Sequence, residues 1–263
     1  MSICEKTYYI GLDVHKNYST YAIMDKEGNL LKEGNLINDE LSTKLPSFVD
    51  GRKILTMETT RNWYAIYDAL EDKFDRIYLA NTYKAKIIRE AKIKTDKISA
   101  KLLADLTRAN LLPYAYIPPK EVRDKREILR CRFSLVKMRS IIKNKLHAVL
   151  SKNGYICPYT DILGIRSIEW LKEISEGLYF TYREEINSYI EIAKLIKDKI
   201  SDIDKQIKEM AMESEEARIV ESHPGIGYYL SLLITTEIVD IERFANVKKL
   251  IKYSRLAPGV YSS

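Results

Sequence analysis

Two short apolar segments of this chain each end in an acidic residue. Residues 8–12 have the pattern of a buried strand and precede Asp13 in the sequence GLDVHK, and residues 53–57 have the same pattern and precede Glu58. A third acid, Asp96, lies in the basic segment KIKTDKISAK. Carboxylate oxygens are the ligands that Mg²⁺ prefers, and acids from separate elements are typical of metal-dependent phosphodiester chemistry. The sequence therefore predicts a metal site at these three acids.

The N-terminal part predicts an α/β domain. Strand patterns at 8–12, 19–24 and 30–36 are joined by turns, including the hairpin signal at 26–29. A helix at 38–49, a strand at 53–58, a helix at 62–73 and a strand at 75–80 follow. This is the element order of an RNase H-like domain. In that fold the catalytic acids come from the first strand, the fourth strand and a late helix, where Asp13, Glu58 and Asp96 fall.

The following segment predicts two long helices. The first runs from Pro118-Pro119 to about residue 153, and the second begins near Tyr182. Their apolar positions recur at spacings of three and four, which is typical of helices that bury one side. An intramolecular helical hairpin and a dimerising arm are equally compatible with this pattern. The two stripes are Leu135, Met138, Ile142, Leu146 and Val149 on the first helix, and Ile186, Ile190, Ala193, Ile196, Ile200, Ile203, Ile207 and Met210 on the second.

Positive charge is concentrated in two segments. The net charge is only +6, from 43 Lys+Arg against 37 Asp+Glu, but residues 128–153 contain basic side chains and no acid. A second basic cluster, which includes Lys94, flanks Asp96. Basic clusters beside a carboxylate site predict a polyanionic substrate, although solvated helix faces give the same pattern. The candidate phosphate contacts in the first segment are Arg130, Arg132, Lys137, Arg139, Lys143 and Lys145.

Cysteine spacing and hydropathy exclude several other classes. Cys4, Cys131 and Cys157 are odd in number and form no CxxC motif, so neither a disulfide framework nor a zinc site is expected. The longest strongly apolar run, residues 228–234, is far too short to cross a bilayer. We therefore expect a cytoplasmic protein that has no membrane partner.

A proline- and glycine-rich turn lies near the C-terminus. The sequence HPGIGYYLSLLI places Gly225 and Gly227 between two predicted helices. This arrangement resembles a helix-hairpin-helix element, whose turn presents backbone N–H groups to a nucleic-acid phosphate. The motif alone is a weak signal.

Six motifs in order resemble one family, the DEDD-type transposases of the insertion sequence 110 family, which are RNA-guided DNA recombinases. They are GLDVHK, METT, KTDKISAKLLADL, LRCRFSLVKMRSIIKNKLHAVL, HPGIGYYLSLLITTEIVDIERF and LAPGVYSS. The resemblance implies a RuvC-like domain at 1–117, long coiled-coil helices at 118–215 and a C-terminal transposase domain at 216–263. It further implies Mg²⁺ as cofactor, and DNA, a bridge RNA and further copies of the chain as partners.

The resemblance also assigns roles to residues. Asp13, Glu58 and Asp96 match three of the four family acids, whereas Ser99 stands at the fourth position. A serine hydroxyl is a weaker ligand than a carboxylate for a hard cation. The catalytic serine is expected at Ser263, with Ser262 as the neighbouring alternative. Lys16 is expected to contact phosphate.

Three functions remain open at this point. The first is a transposase, impaired by Ser99 and by a sequence that stops at Ser263, where the family continues. The second is a non-catalytic nucleic-acid-binding derivative. The third is a metal-dependent nuclease of the Holliday-junction type, which uses water as nucleophile. A shortened reading frame, an inactive relic and a sequence cut at that point are equally compatible with the ending, and the resemblance implies a truncated transposase.

Overall fold

A computed structural model describes residues 6–81 and 96–254, except for the side chains of residues 96 and 97. The chain divides into two compact units, Met1–Ile117 and Pro118–Ser263. Each unit is described by itself below.

The first unit is built on a six-stranded mixed sheet with strand order β3-β2-β1-β4-β5-β6. β1 pairs antiparallel with β2 and parallel with β4, and β4 pairs parallel with β5. This order and these directions are compatible with the RNase H-like fold predicted from the sequence. The strands are β1 (Thr7–Val14), β2 (Tyr18–Met24), β3 (Leu30–Ile37), β4 (Arg52–Glu58), β5 (Arg76–Ala80) and β6 (Tyr114–Ala115).

The helices of this unit depart from the prediction in one place. The expected helix at 38–49 is α1 (Leu41–Lys44) between 3-10 turns at Asn38–Glu40 and Pro46–Phe48. Pro46 explains the break, because proline lacks the N–H that would continue the helical hydrogen bonds. The helix predicted at 62–73 is α2 (Trp63–Leu70), and a 3-10 turn at Glu71–Lys73 follows it.

Helices cover both faces of the sheet. On one face Leu12 and its neighbours pack with Leu41 of α1 and Leu70 of α2 in a buried core. On the other face lies α3 (Asp96–Arg108), whose Ala100 and Ala104 are fully buried. The alternation of β1 side chains sends Leu12 to the first face and Asp13 to the second.

The second unit is helical. Its helices are α4 (Lys120–Lys152), α5 (Ile165–Glu176), α6 (Phe180–Glu213), α7 (Glu215–Glu221), α8 (Tyr228–Ile238) and α9 (Val247–Tyr253). α4 and α6 form an antiparallel hairpin, because Leu146 packs with the early α6 residue Ile190 while Leu129 packs with the late residue Ile207. The isoleucine stripe of α6 is therefore covered within the chain, as the hairpin interpretation predicted. Met138 was expected on the buried side of α4, and that was wrong, because it is 51% exposed.

Membrane insertion finds no support in the described residues. Across 6–81 and 96–254, none of the helices combines the length and the apolar character that a bilayer crossing needs.

Candidate functional site

Asp13 and Glu58 lie side by side at the carboxyl ends of β1 and β4. These strands are parallel, and their register pairs Leu12 with Met57, one residue before each acid. The acids therefore occupy neighbouring positions on the same face of the sheet. Asp13 is buried, and the Oε1 atom of Glu58 is buried as well. The structure thus brings together two of the acids predicted from the sequence.

The direction of α3 brings its first turn to the same end of the sheet. Ala100 lies directly over Gly11 of β1, whereas Arg108, at the other end of α3, lies beside Gly28 in the β2–β3 turn. α3 therefore runs opposite to β1, and it begins at Asp96 near the end of β1 that carries Asp13. The side chain of Asp96 lies outside the described part of the chain.

Ser99 occupies the buried side of this first turn. It is only 3% exposed, and its Oγ makes no hydrogen bond to any residue that the structure describes. An unsatisfied buried hydroxyl is unusual, because leaving one unpaired costs about 1–3 kcal/mol. Ser99 precedes Ala100, which contacts Gly11 two residues before Asp13.

The donor atoms at this edge match the preferences of a hard cation. Two carboxylates and one buried hydroxyl are oxygen donors of the kind that Mg²⁺ takes. Within the described residues no three His, Cys, Asp or Glu side chains are positioned to hold a metal ion. A complete site would therefore need donors beyond Asp13 and Glu58, and Ser99 and Asp96 are the candidates.

The loop after β1 is fixed by two asparagines. Asn38 Nδ2 donates to the carbonyl oxygen of His15 at 2.9 Å, and Asn62 Nδ2 donates to the same oxygen at 3.1 Å. The His15 ring stacks on Tyr18, and its Nε2 lies 3.8 Å from Asp13 Oδ2. Lys16 is exposed at the tip of this loop. Lys16 thus lies three residues after Asp13 on an exposed loop, and its contact with phosphate stays a prediction.

Neither Asn38 nor Asn62 was identified from the sequence. Asn38 is the first residue of a 3-10 turn and Asn62 precedes α2, and asparagine is common at such starts as a cap, so the usual interpretation is a local one. Their actual partner is a carbonyl group 23 and 47 residues away. The available signal was the repeated placement of an asparagine at the start of a helical segment, but it does not identify a distant partner.

The basic residues of α4 are not equivalent. Arg132 forms an ion pair with Asp204 and lies over the ring of Tyr229 at 4.3 Å. The hydrogen bond with Asp204 also raises the pKa of Arg132 above its ordinary value. Arg130 pairs with Glu127 at 2.7 Å on the exposed surface. A phosphate would have to compete with these carboxylates for either arginine.

The other predicted contacts on α4 differ in exposure. Lys143 pairs with Asp161 at 2.8 Å, and this contact lowers the pKa of Asp161. Lys137 and Lys145 are exposed and form no ion pair with any residue that the structure describes. Arg139 is half-buried.

The PGIG sequence forms a turn between α7 and α8. Gly225 has φ +88°, a conformation that favours glycine, and Gly227 precedes the first residue of α8. A Cβ at either glycine would meet no atom of a described residue within 4 Å, and both glycines are exposed. This arrangement leaves the turn accessible to a ligand, and phosphate binding by its backbone stays a prediction. Lys94, Ser262 and Ser263 lie outside the described residues.

Two models of known protein families match this chain. A family model described as a transposase, of the DEDD type of IS110, matches residues 10–153, which is more than half of the chain. The chain belongs to the IS110 transposase family. A second model, described as a transposase of the IS116/IS110/IS902 family, matches residues 217–263. The first match includes the segments of Asp13, Glu58 and Asp96, and the second includes the PGIG turn.

Two curated relatives of this IS110-family chain carry transposase names. One is "Transposase for insertion sequence element IS1111A" of Coxiella burnetii, 24% identical over 179 residues, which are 65% of this chain and 47% of the relative. The other is "Putative transposase y4qE" of Sinorhizobium fredii, 24% identical over 175 residues, which are 65% of this chain and 41% of the relative. The matched region thus spans less than half the length of either relative.

Proposed function

We propose that this IS110-family protein is an insertion-sequence transposase that binds element-end and target DNA together with a structured guide RNA. It acts in the cytoplasm as a homo-oligomer and carries out Mg²⁺-dependent, serine-mediated strand cleavage and exchange. The observation that carries the proposal is the acid edge, by which we mean the edge of the sheet where Asp13 of β1 and Glu58 of β4 lie side by side. Asp13 and Glu58 lie at neighbouring strand ends, below the helix turn that carries Ser99.

The residues have separate roles in the proposed reaction. Asp13, Glu58 and Asp96 would hold Mg²⁺, which stabilises the negative charge that develops on a phosphodiester during displacement. Ser263 would supply the nucleophile. Its hydroxyl oxygen forms a bond to phosphorus and loses its proton, while the bond from phosphorus to the departing strand breaks and that oxygen takes up a proton. The product is a covalent protein–DNA diester, which the reverse step transfers to a new strand.

Substitution of Ser99 tests the metal part of the proposal. Ser99→Ala removes a buried hydroxyl that has no hydrogen-bond partner among the described residues, so we expect a metal-free protein that is more stable by about 1 kcal/mol. If Ser99 helps to hold Mg²⁺, the same change reduces the stabilisation that Mg²⁺ gives. Ser99→Asp has the opposite effects, because a buried carboxylate is costly without a cation and a strong ligand with one. Thermal unfolding with and without Mg²⁺ measures both effects.

Ser175→Ala is the matched control. Ser175 has the same 3% exposure, but its Oγ donates to the Lys172 carbonyl at 2.7 Å in the second unit. This variant should lose stability and keep the full Mg²⁺ effect. Equal Mg²⁺-induced shifts in the wild type, Ser99→Ala and Ser99→Asp would rule out Ser99 as a ligand.

A second candidate function follows from Ser99 itself. Where the family resemblance expects a carboxylate, this chain has a neutral buried hydroxyl, which favours a nucleic-acid-binding derivative without catalysis. Labelled element-end DNA, with its cognate RNA and Mg²⁺, distinguishes the two functions on denaturing gels. Cleavage or a covalent adduct that Asp13→Asn abolishes supports the transposase. Binding without cleavage, in the wild type and in Ser99→Asp, supports the derivative.

A further inference from the structure

Two neighbouring clefts lie along the α4–α6 hairpin of the helical unit. The first has a volume of about 540 Å³ and lies between α4, α5 and α6. The second has a volume of about 370 Å³ and continues along α6 to Tyr228, the first residue of α8. The two share Arg139 and Lys197 in their walls, so they form one groove. We call it the hairpin groove.

The walls of the hairpin groove are strongly basic. Its two acids are already paired, Asp161 with Lys143 and Asp204 with Arg132. The cations that make no ion pair with any residue in the described part of the chain are Arg139, Lys172, Lys194, Lys197 and Lys208. The groove therefore keeps an excess of positive charge after its internal pairs are formed.

Arg139 occupies the junction of the two clefts. Its side chain is half-buried, and no hydrogen bond to it occurs within the described residues. A guanidinium group has five N–H donors in a planar fork that matches the oxygens of a phosphate. Partial burial of these donors without an acceptor is unfavourable in the free protein. An anionic ligand in the groove would remove this penalty.

The dimensions of the groove favour a polymer over a small anion. Lys194 and Lys208 are 14 residues apart on α6, which corresponds to about 21 Å at 1.5 Å per residue. Phosphates of one DNA strand recur about every 3.4 Å along the duplex axis, so about six fit this length. The groove ends at Tyr228, which follows Gly227 of the PGIG turn, and an aromatic ring there can stack on a base.

We propose that the hairpin groove binds the sugar-phosphate backbone of a nucleic-acid strand, with Arg139 and Lys197 at its centre. This assignment rests on the proposed function and deepens it. Beyond the contacts predicted on α4, it assigns phosphate binding to Lys172, Lys194, Lys197 and Lys208, which lie on α5 and α6, outside the basic segment 128–153.

A pair of charge reversals two residues apart tests the groove. Lys197 lines both clefts, whereas Lys199 is exposed on the same helix and lines neither. Binding of labelled single-stranded RNA, single-stranded DNA and duplex DNA is measured by fluorescence anisotropy at several salt concentrations. We expect Lys197→Glu to lower affinity about tenfold or more and to reduce the salt slope by roughly one to two. Lys199→Glu should change affinity less than threefold, and the three probes identify the type of strand.

Two further measurements do not depend on charge reversal. Arg139→Gln, which keeps a polar side chain, should lower affinity and the salt slope by roughly one. In the wild type, bound nucleic acid should protect Lys194 and Lys197 from acetylation and leave Lys199 reactive. If Lys197→Glu and Lys199→Glu change affinity equally while the wild type binds normally, the hairpin groove is not the binding site. The proposed function is then unaffected. Absence of wild-type binding to all three probes would overturn both.

Discussion

Replacement of Gly11 by alanine should separate α3 from the acid edge. A Cβ added to Gly11 would lie 1.9 Å from the carbonyl oxygen of Ala100 and 2.7 Å from the backbone nitrogen of Ala104. Both neighbours are backbone atoms of α3, so no rotamer change relieves the contact. Real Cβ contacts are essentially never shorter than 3.0 Å, and 3.0 minus 1.9 gives a displacement of at least 1.1 Å.

This displacement has two measurable consequences. Overpacking of a tight interface costs about 1–3 kcal/mol, which for a unit of this size corresponds to a fall in Tm of about 5–15 °C. A shift of about 1 Å in a catalytic group also lowers rates about 100-fold. Because Ser99 and Asp96 belong to the first turn of α3, the stabilisation by Mg²⁺ should decrease together with any strand cleavage.

Gly34→Ala is the matched control in the same sheet. Its Cβ would meet the Tyr21 hydroxyl oxygen at 3.0 Å and two carbons of that ring at 3.3 Å, so the ring has to shift by only a few tenths of an ångström. We expect a Tm change below about 2 °C and an unchanged Mg²⁺ effect. Calorimetry of both variants with and without Mg²⁺ is the assay. If Gly11→Ala unfolds at the wild-type temperature and keeps the full Mg²⁺ shift, then α3 does not depend on this contact and the described geometry of the site is wrong.

Two further predictions concern the helical unit. Arg126 is buried and donates two hydrogen bonds to the Thr236 carbonyl, at 2.9 and 2.7 Å. Arg126→Met should therefore lower the free energy of unfolding, measured in urea, by about 2–3 kcal/mol. The control Arg130→Met, at an exposed ion pair, should lower it by less than about 1 kcal/mol. Asp161→Asn keeps an acceptor oxygen but removes the charge that holds Lys143, so nucleic-acid affinity should rise and the salt slope should increase by roughly one. Lower affinity in this variant would contradict a groove that binds phosphate.

The sheet and the position of its acids could be predicted from the sequence for a physical reason. Alternating or continuous apolar residues define strands, and in β1 and β4 the first acid, Asp13 or Glu58, marks the carboxyl end of the apolar run. Once β1 and β4 are parallel neighbours, their carboxyl ends must meet at one edge. The pairing β5–β6 was not predicted, because β6 has only two residues and no periodicity to detect.

Features that depend on distant partners could not be predicted. Asn62 reaches the His15 carbonyl across 47 residues, and no local pattern encodes that contact. The dependence of α3 on Gly11 is similar, because a glycine in a strand indicates close approach but does not name the approaching element. Met138 has the spacing of a buried residue, yet the partner helix α6 does not cover it.

The charge of α6 shows why a linear count of residues missed the hairpin groove. Acids and lysines alternate closely along this helix, so its positive and negative charges nearly cancel. The sequence alone therefore does not indicate a basic surface on α6. On a helix, however, residues three and four apart share a face, and Lys194, Lys197 and Lys208 fall on the side that lines the clefts. Asp198 and Glu209, each next to one of these lysines in sequence, line neither cleft. The acid-free segment of α4 does indicate a basic surface in the sequence. Two of its side chains, Arg132 and Lys143, however, already form ion pairs within the chain. The unpaired positive charge of the hairpin groove therefore arises where this face of α6 meets Arg139, and the packing of α4 against α6 brings the two together.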